Sequence, residues 1–248
     1  MFENPIVQDN IKKLEGYGFH IIDPASGYLA CGDTGAGKMP EPEVLFSYIM
    51  KELACEKDMV GKKVMVTAGP TQEKIDPVRF IGNYSSGKMG FALADECAAR
   101  GAEVILVSGP VQLHTHYPMH QHLCVESAGQ MFDAATSLFY NVDVAIMAAA
   151  VADYTPEQVA DKKIKREKTG DMSLNLKPTQ DIAACLGEIK ERYPGKILVG
   201  FALETNNEQY NAEDKLKRKN LDFIVLNSLN DKGAGFRCDT NKISIIDR

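Results

Sequence analysis

From residue 63 onward, short apolar runs rich in β-branched residues alternate with segments whose apolar positions recur every three or four residues. The runs predict strands at 63–68, 103–108, about 121–126, 143–149, 196–202, 222–227 and 242–247. The periodic segments predict helices at 86–100, 128–140, 179–192 and 208–220. Runs such as VAIMAAA and DFIVLN have no polar face, as expected of strands covered on both sides. This alternation predicts an α/β fold, Rossmann-like and doubly wound, with a mainly parallel sheet. In such sheets ligands bind outside the carboxyl ends of the strands. Here those ends are Ala68-Gly69, Ser108-Gly109, 148–153, 200–204 and Asn227, which are expected to converge on one site.

Two regions depart from the alternation. Residues 1–60 carry a helical pattern at 5–16, a short strand at 19–22, a glycine-rich loop SGYLACGDTGAGKMPEPE, a helix at 43–57 and then a linker. They hold too few apolar residues for a domain of their own, so the expected division is 1–60 and 61–248. The second departure, about 154–176, is polar and lysine-rich. KKIKREK and MSLNLK are expected to pair about a turn at Thr169-Gly170-Asp171. A charge run is ordinarily a solvated arm. This one leaves and rejoins the ligand edge, a position from which it can close over a pocket or reach a second subunit.

The stretch KVMVTAGPTQEKIDPVRFIGNYSSGKMG concentrates the candidate chemistry. A strand passes into a glycine-containing loop and then a helix, where backbone N–H groups and the positive end of the helix dipole favour an anion. Gly69 permits close approach of the backbone. Arg79 and Lys88 add positive charge, and Asn83, Ser85 and Ser86 add short hydrogen-bonding groups. Residues 82–88 imitate a P-loop, but Met89 stands where a magnesium-binding Ser or Thr is required and no strand directly precedes Gly82. The simpler alternative, Ser85 or Ser86 as a helix cap, leaves Arg79, Asn83 and Lys88 unexplained.

At 248 residues, 44% apolar and 25% charged, the chain has room for one large α/β domain and something smaller. No window reaches the apolar length of a membrane span, and the N-terminus lacks a secretion signal, so the expected compartment is the cytoplasm. A net charge of −6 argues against a nucleic-acid partner. Six widely spaced cysteines without a C-x-x-C pair suggest reduced thiols. His114, His116, His120 and His122 are close in sequence, but Pro118 intervenes and no acidic residue lies between them, which favours a polar connection over a metal site.

The chain resembles the phosphopantothenate-cysteine ligase family, the synthetase half of the bifunctional bacterial coenzyme A biosynthesis protein. The resemblance rests on the stretch above, MAAAVADY, Lys163-Ile164-Lys165-Arg166, KPTQDI, VGFALET, KLKRKNLDFIVLN and GAGF, in that order. ACGDTGAGKM resembles the tail of the flavin-dependent decarboxylase half, with Lys38 where that family has Arg. The cysteine of that motif, the family's proton donor, corresponds to Cys31. The resemblance implies a flavin-binding body ahead of residue 1 and a further strand and helix after Arg248. FMN is therefore expected only with the missing decarboxylase half, and decarboxylation is not expected of this chain.

The activity implied is condensation of 4'-phosphopantothenate with L-cysteine through an acyl-cytidylate, with CTP as co-substrate and Mg2+ as the divalent ion. Lys163 corresponds to the family's catalytic lysine. Asn83 corresponds to an asparagine that serves turnover of the acyl-nucleotide, and Arg79 to a contact with the phosphopantothenate phosphate or the acyl carbonyl. Nucleotide contacts carried over are Ser85, Ser86, Lys88, Met147, Ala148, Ala149, Asp153, Asp181, Ile182, Ala183, Ala184, Phe201, Lys215 and Lys219, with Gly69 at the turn and Asp153 holding the divalent ion, as the metal ligand, or the ribose. The family is a homodimer whose arm crosses to the partner. The alternatives are a non-catalytic nucleotide-binding or assembly fragment, or an NAD(P)-dependent oxidoreductase. Against the oxidoreductase, the Gly69 loop lacks G-x-G-x-x-G and the second strand does not end in an acidic residue.

Overall fold

The computed structural model describes residues 2–29, 32–53, 55–165, 172–204, 206–228 and 240–248. Cys31, the turn predicted at Thr169-Gly170-Asp171 and the GAGF motif lie outside the described residues. The chain divides into two compact units, Met1–Cys55 and Glu56–Arg248.

The first unit contains α1 (Pro5–Gly16), an antiparallel hairpin of β1 (Ala25–Tyr28) and β2 (Thr34–Lys38), and α2 (Pro42–Leu53). Asn4 caps α1 by accepting the N–H of Ile6 at 2.9 Å, and Pro5 supplies a preset φ at the first turn. Neither helix has a buried residue. The strand expected at 19–22 does not form, and the glycine-rich loop is itself the hairpin. Positive φ at Gly32 and Gly37 lets the chain turn and pair where side-chain pattern gave no strand signal.

The second unit runs β3 (Lys63–Ala68), β4 (Glu73–Lys74), β5 (Phe80–Ile81), α3 (Lys88–Ala99), β6 (Glu103–Ser108), β7 (Gln121–Cys124), α4 (Ala128–Phe139) and β8 (Val144–Met147). It continues with β9 (Tyr154–Pro156), β10 (Leu176–Pro178), α5 (Ile182–Lys190), β11 (Ile197–Glu204), α6 (Glu208–Arg218), β12 (Phe223–Ser228) and β13 (Ile243–Asp247). Seven strands form one sheet in the order β13-β12-β11-β8-β3-β6-β7, parallel throughout except for β13 at its edge. The chain moves outward from β3 to β6 and β7, then returns to β8 on the other side of β3. That reversal opens a crevice at the carboxyl ends of β3 and β8.

Period-two alternation splits the core between the two faces. Val64, Val66 and Ala68 of β3 pack with Phe91, Ala94, Cys97 and Ala98 of α3. Met65 joins the opposite cluster, with Met131, Ala135 and Phe139 of α4, Ile182 and Leu186 of α5, and Ala212 and Leu216 of α6. Gly90 lets α3 seat close on β3, since a Cβ there would stand 2.5 Å from the Cβ of Ala68. One face thus carries three helices, while among the described residues α3 is the helix found in the cluster on the other. On that second face the carboxyl half of β11 is incompletely covered, with Phe201 half-buried and Leu203 exposed.

The arm departs from the expected hairpin. Residues 162–165 and 172–175 are not strands, and the antiparallel pairing occurs at the arm's base, between β9 and β10, Tyr154↔Pro178 to Pro156↔Leu176. Pro178 ends the second strand of that pair, where the chain must turn toward α5. The alternation in KKIKREK is a charge pattern, and its described residues, 162–165, are not in a strand.

Candidate functional site

The crevice is built by hydrogen bonds that join the ends of β3 and β8. Ala150 N–H donates to the Gly69 carbonyl at 2.9 Å, Thr71 N–H returns a bond to the Ala150 carbonyl, and Ala149 N–H donates to the Thr67 hydroxyl at 3.2 Å. Thr71 is fully buried, and its hydroxyl accepts the Ala152 N–H at 2.9 Å. Thr179 then anchors the return of the arm by donating its hydroxyl hydrogen to the Ala152 carbonyl at 2.7 Å. Glu73, also buried, accepts the Ala128 N–H and so helps cap α4. Thr71 and Glu73 of the TQEKID segment therefore hold the frame, burying polar groups only where partners exist.

Gly69, Gly87 and Gly109 interlock beneath the crevice. At Gly69 and Gly87 φ is +76° and +82°, and a Cβ on Gly87 would meet Val111 at 3.1 Å and the Cα of Gly69 at 3.3 Å. A Cβ on Gly109 would overlap the Pro70 carbonyl oxygen. The left-handed Gly87 is the N-cap of α3 and, having no side chain, makes no side-chain cap hydrogen bond. The Ser85 hydroxyl accepts the Gly87 N–H at 3.3 Å, and the Asn83 carbonyl oxygen, Oδ1, accepts the Ser85 N–H at 3.1 Å. Asn83 Nδ2 donates to the Ala150 carbonyl, so the serine turn is pinned against the end of β8. The helix-cap reading of the serines gives way to this geometry, in which Gly87, and not a serine, is the N-cap at the positive pole of α3.

The N-terminal end of α3 faces a cavity of about 820 Å³. Its wall comprises Asn83, Ser85, Ser86, residues 87–90, Ala92 and Leu93 from the turn and α3, residues 148–151 and Asp153 after β8, residues 201–203 of β11, Asn227 of β12, and Thr240 and Asn241. Of the sequence-predicted residues it gathers Asn83, Ser85, Ser86, Lys88, Ala148, Ala149, Asp153 and Phe201. Gly69 and the Ser108-Gly109 end do not line it; their glycines pack the turn instead. Met147 lies in the core beneath it, 9% exposed. The contribution of Thr240 and Asn241 carried no signal in the sequence, because they precede an edge strand far from the other lining segments. Asn241 donates to the Asn227 side chain at 3.0 Å, closing that side.

Three predicted residues beyond the cavity wall, Lys215, Lys219 and Asp181, form two ion-paired groups, one of them completed by Glu204. Lys215 Nζ lies 2.6 Å from Glu204, whose other carboxylate oxygen accepts from Asn211. Burial opposes ionisation of Glu204, but the hydrogen bonds from Lys215 and Asn211 hold its carboxyl below the usual range. Lys219 lies 2.8 Å from Asp181, which also caps α5 through the Ala184 N–H at 3.1 Å. Burial likewise opposes the charge on Asp181, and the Lys219 and Ala184 bonds outweigh it. Ile182 is buried in the core and Ala183 packs against it. Lys215 and Lys219, one helical turn apart, are thus held in place by acids on two different elements.

Arg79 and Lys163 stand apart from the cavity wall. The Asp76 side chain is 0% exposed, and Arg79 Nε donates to it at 2.9 Å. The guanidinium also donates to the Ile164 carbonyl at 2.8 Å. Lys163 is exposed on the arm beside this contact. The histidines are engaged separately: His116 pairs with Asp95 at 2.9 Å, and His122 meets the Ser108 hydroxyl at 2.8 Å. Among the described residues no group of three or more His, Cys, Asp or Glu could hold a metal ion. No helix there is long and apolar enough to cross a membrane.

Residues 59–248 match the model of the DNA/pantothenate metabolism flavoprotein C-terminal domain, and residues 1–54 match a flavoprotein model. A cysteine/cysteine sulfinic acid decarboxylase of an unknown prokaryotic organism is 54% identical over 252 aligned residues, covering 100% of this chain and 69% of that protein. The Coenzyme A biosynthesis bifunctional protein CoaBC of Bacillus subtilis (strain 168) is 46% identical over 247 residues, 99% of this chain and 60% of the relative. The protein of the same name from Haemophilus influenzae is 43% identical, and this chain again spans 60% of its length. Among solved structures, the C-terminal domain of a Coenzyme A biosynthesis bifunctional protein CoaBC superposes with a TM-score of 0.63 at 42% identity, covering 78% of this chain and 85% of that one. A DNA/pantothenate metabolism flavoprotein from Streptococcus pneumoniae, 23% identical with a TM-score of 0.61 over 75% of this chain and 93% of that one, shares the fold.

Proposed function

This chain belongs to the DNA/pantothenate metabolism flavoprotein C-terminal domain family through residues 59–248, and from that premise we propose that it joins 4'-phosphopantothenate to L-cysteine. The proposed route passes through an acyl-cytidylate, releasing pyrophosphate and then CMP. The observation that carries this reading is the N-terminus of α3, with Gly87 at its N-cap and Ser85 and Ser86 beside it, on the wall of an 820 Å³ cavity. Cavities of roughly 300–1,000 Å³ take small organic ligands, and a helix N-terminus flanked by hydroxyls favours a phosphate group.

In the proposed reaction the phosphopantothenate carboxylate attacks the α-phosphate of CTP, and pyrophosphate leaves. The cysteine amine then attacks the acyl carbonyl and displaces CMP. No protein nucleophile is required. The protein supplies orientation and fixed positive potential where phosphate charge shifts. Ser85, Ser86, Lys88 and the α3 N-terminus receive the triphosphate, while backbone groups of Ala148 and Ala149 and the Phe201 side chain border the base. Asn83, fixed by its bond to Ala150, stands where an amide can face the acyl carbonyl. Lys163 reaches the phosphates from the arm, in this subunit or from the partner of a proposed homodimer.

Asp153 contributes an exposed carboxylate to the wall. One carboxylate together with substrate phosphates suits Mg2+, which would neutralise the leaving pyrophosphate. FMN belongs in this proposal to a decarboxylase half that residues 1–54 would adjoin, and decarboxylation is not proposed for this chain. The chain spans about 60% of the length of its Coenzyme A biosynthesis bifunctional relatives.

The test mixes the protein with CTP, Mg2+ and 4'-phosphopantothenate and measures pyrophosphate, then adds L-cysteine and measures CMP. Pyrophosphate formation that depends on phosphopantothenate, followed by cysteine-dependent CMP release, is the expected result. Nucleotide binding without pyrophosphate would make the protein a binding module. Replacement of CTP by ATP reads base preference, and sedimentation reads the dimer.

A further inference from the structure

We infer that Asp76 is a positioning residue for the arm lysines: with Arg79 it grips the backbone of Ile164 and so sets the places of Lys163 and Lys165. Asp76 Oδ2 accepts the Ile164 N–H at 3.1 Å, while Arg79 Nη2 donates to the Ile164 carbonyl at 2.8 Å. The first bond fixes the peptide plane between residues 163 and 164, and the second fixes the plane between 164 and 165. Each plane contains the Cα of one flanking lysine. Both lysines are thereby anchored at the main chain while their side chains remain exposed.

The grip itself is preorganised. Asp76 Oδ1 accepts the N–H groups of Val78 at 2.8 Å and Arg79 at 2.9 Å, folding the turn that carries Arg79 back to it. The Ile75 N–H closes the same turn on the Arg79 carbonyl at 2.8 Å, and the Ile75 carbonyl accepts the Ala160 N–H at 3.0 Å. The arm is therefore held at residues 160 and 164 by one turn between β4 and β5. Asp76 is fully buried, yet every bond to it comes from an N–H or a guanidinium, a set that only a carboxylate satisfies. Arg79, which the resemblance implies meets substrate, donates from Nε and Nη2 to Asp76 and from Nη2 to Ile164.

This inference rests on the reading of Lys163 as a phosphate-neutralising group, and its test separates the two. Asp76→Asn keeps an acceptor for the turn but sets a second donor against Arg79 and the Ile164 N–H. Limited trypsin digestion of the native protein should cut after Lys163 and Lys165 at least about tenfold faster in this variant, as expected when charge-assisted bonds that close the arm are lost. Lys190, in α5 and paired with Asp222, should stay uncut as the internal control. The kcat for pyrophosphate release should fall about tenfold, with the KM for nucleotide changing less than about threefold. Should Asp76→Asn fail to fold, Arg79→Gln serves the same measurements, because that side chain is 41% exposed. Cleavage at the parent rate, or faster cleavage with unchanged turnover, overturns the positioning role. Undiminished pyrophosphate release by Lys163→Gln, with cleavage after Lys165 still slow, defeats the reading of Lys163 and leaves the grip standing.

Discussion

Asn83 and Ala150 are joined across the carboxyl edge of the sheet, the amide Nδ2 of one donating to the main-chain oxygen of the other at 2.5 Å. The same amide's oxygen receives the Ser85 N–H, so one side chain couples the end of β8 to the turn that starts α3. An aspartate can accept from Ser85 but cannot donate to Ala150. Asn83→Asp is therefore expected to slow CMP release by about 10- to 100-fold, the scale of losing one oriented donor. Pyrophosphate release should fall less, so that acyl-nucleotide accumulates. Quenched-flow assay of both products checks this, and equal loss of both steps would contradict the proposed division of labour.

Gly87 holds φ at +82° with Val111 and the Cα of Gly69 close to where a Cβ would stand. Gly87→Ala should cost about 1–3 kcal/mol of stability, the usual scale for a non-glycine residue in a strained conformation. Because the same residue sets the direction of the α3 N-terminus, nucleotide affinity should fall as well. Thermal unfolding and calorimetric titration with CTP read the two effects separately. An unchanged melting temperature would mean that the turn readily relaxes.

Lys215 and Glu204 form a partly buried pair. Lys215→Met leaves the Glu204 carboxylate with Asn211 as its remaining hydrogen-bond donor among the interactions seen, and is expected to destabilise the protein by about 1–3 kcal/mol. If Lys215 also meets phosphate, the Kd for CTP rises about tenfold, and that rise is the predicted outcome. Glu204→Gln should weaken binding less, since the lysine charge remains. A lowered melting temperature with an unaltered Kd in Lys215→Met would confine the pair to structure.

The Asp76 carboxyl is held far below the ordinary carboxylate range, chiefly by the Arg79 guanidinium and then by the N–H groups of Val78, Ile164 and Arg79, against the opposing pull of burial. A pKa lowered on folding stabilises the folded state fully above the unfolded value, about 3.9, and loses that contribution as pH falls through the folded value. The melting-temperature gap between the parent and Asp76→Asn should therefore stay constant from about pH 8 to about pH 5 and close only in stronger acid. A gap that closes between pH 8 and pH 5 would show that another group governs the turn.

The alternation of apolar runs with helical periods was enough to place β3, β6, β8, β11 and β12 and the helices α3 to α6, because burial on both faces of a parallel sheet leaves no polar period to confuse the reading. The turn at Ser85-Ser86 leading into α3 was equally legible, since glycine, hydroxyls and a following helix have a local physical meaning. Local patterns failed where pairing partners were distant or absent. The first unit's hairpin lay hidden among glycines, and residues 162–165 of KKIKREK alternate without being in a strand.

Sequence alone determined the class of fold and its family, because both follow from short-range pattern and side-chain chemistry. Tertiary structure decided how the candidate residues are divided among tasks. It put Thr71, Glu73 and Asp76 inside, where each buried polar group must find partners, and gave Arg79 to the arm. It also brought Thr240 and Asn241 to a cavity that nothing in their own neighbourhood foretells. The reason is that hydrogen-bond satisfaction and packing are settled between segments distant in sequence, and those meetings exist only once the sheet has assembled.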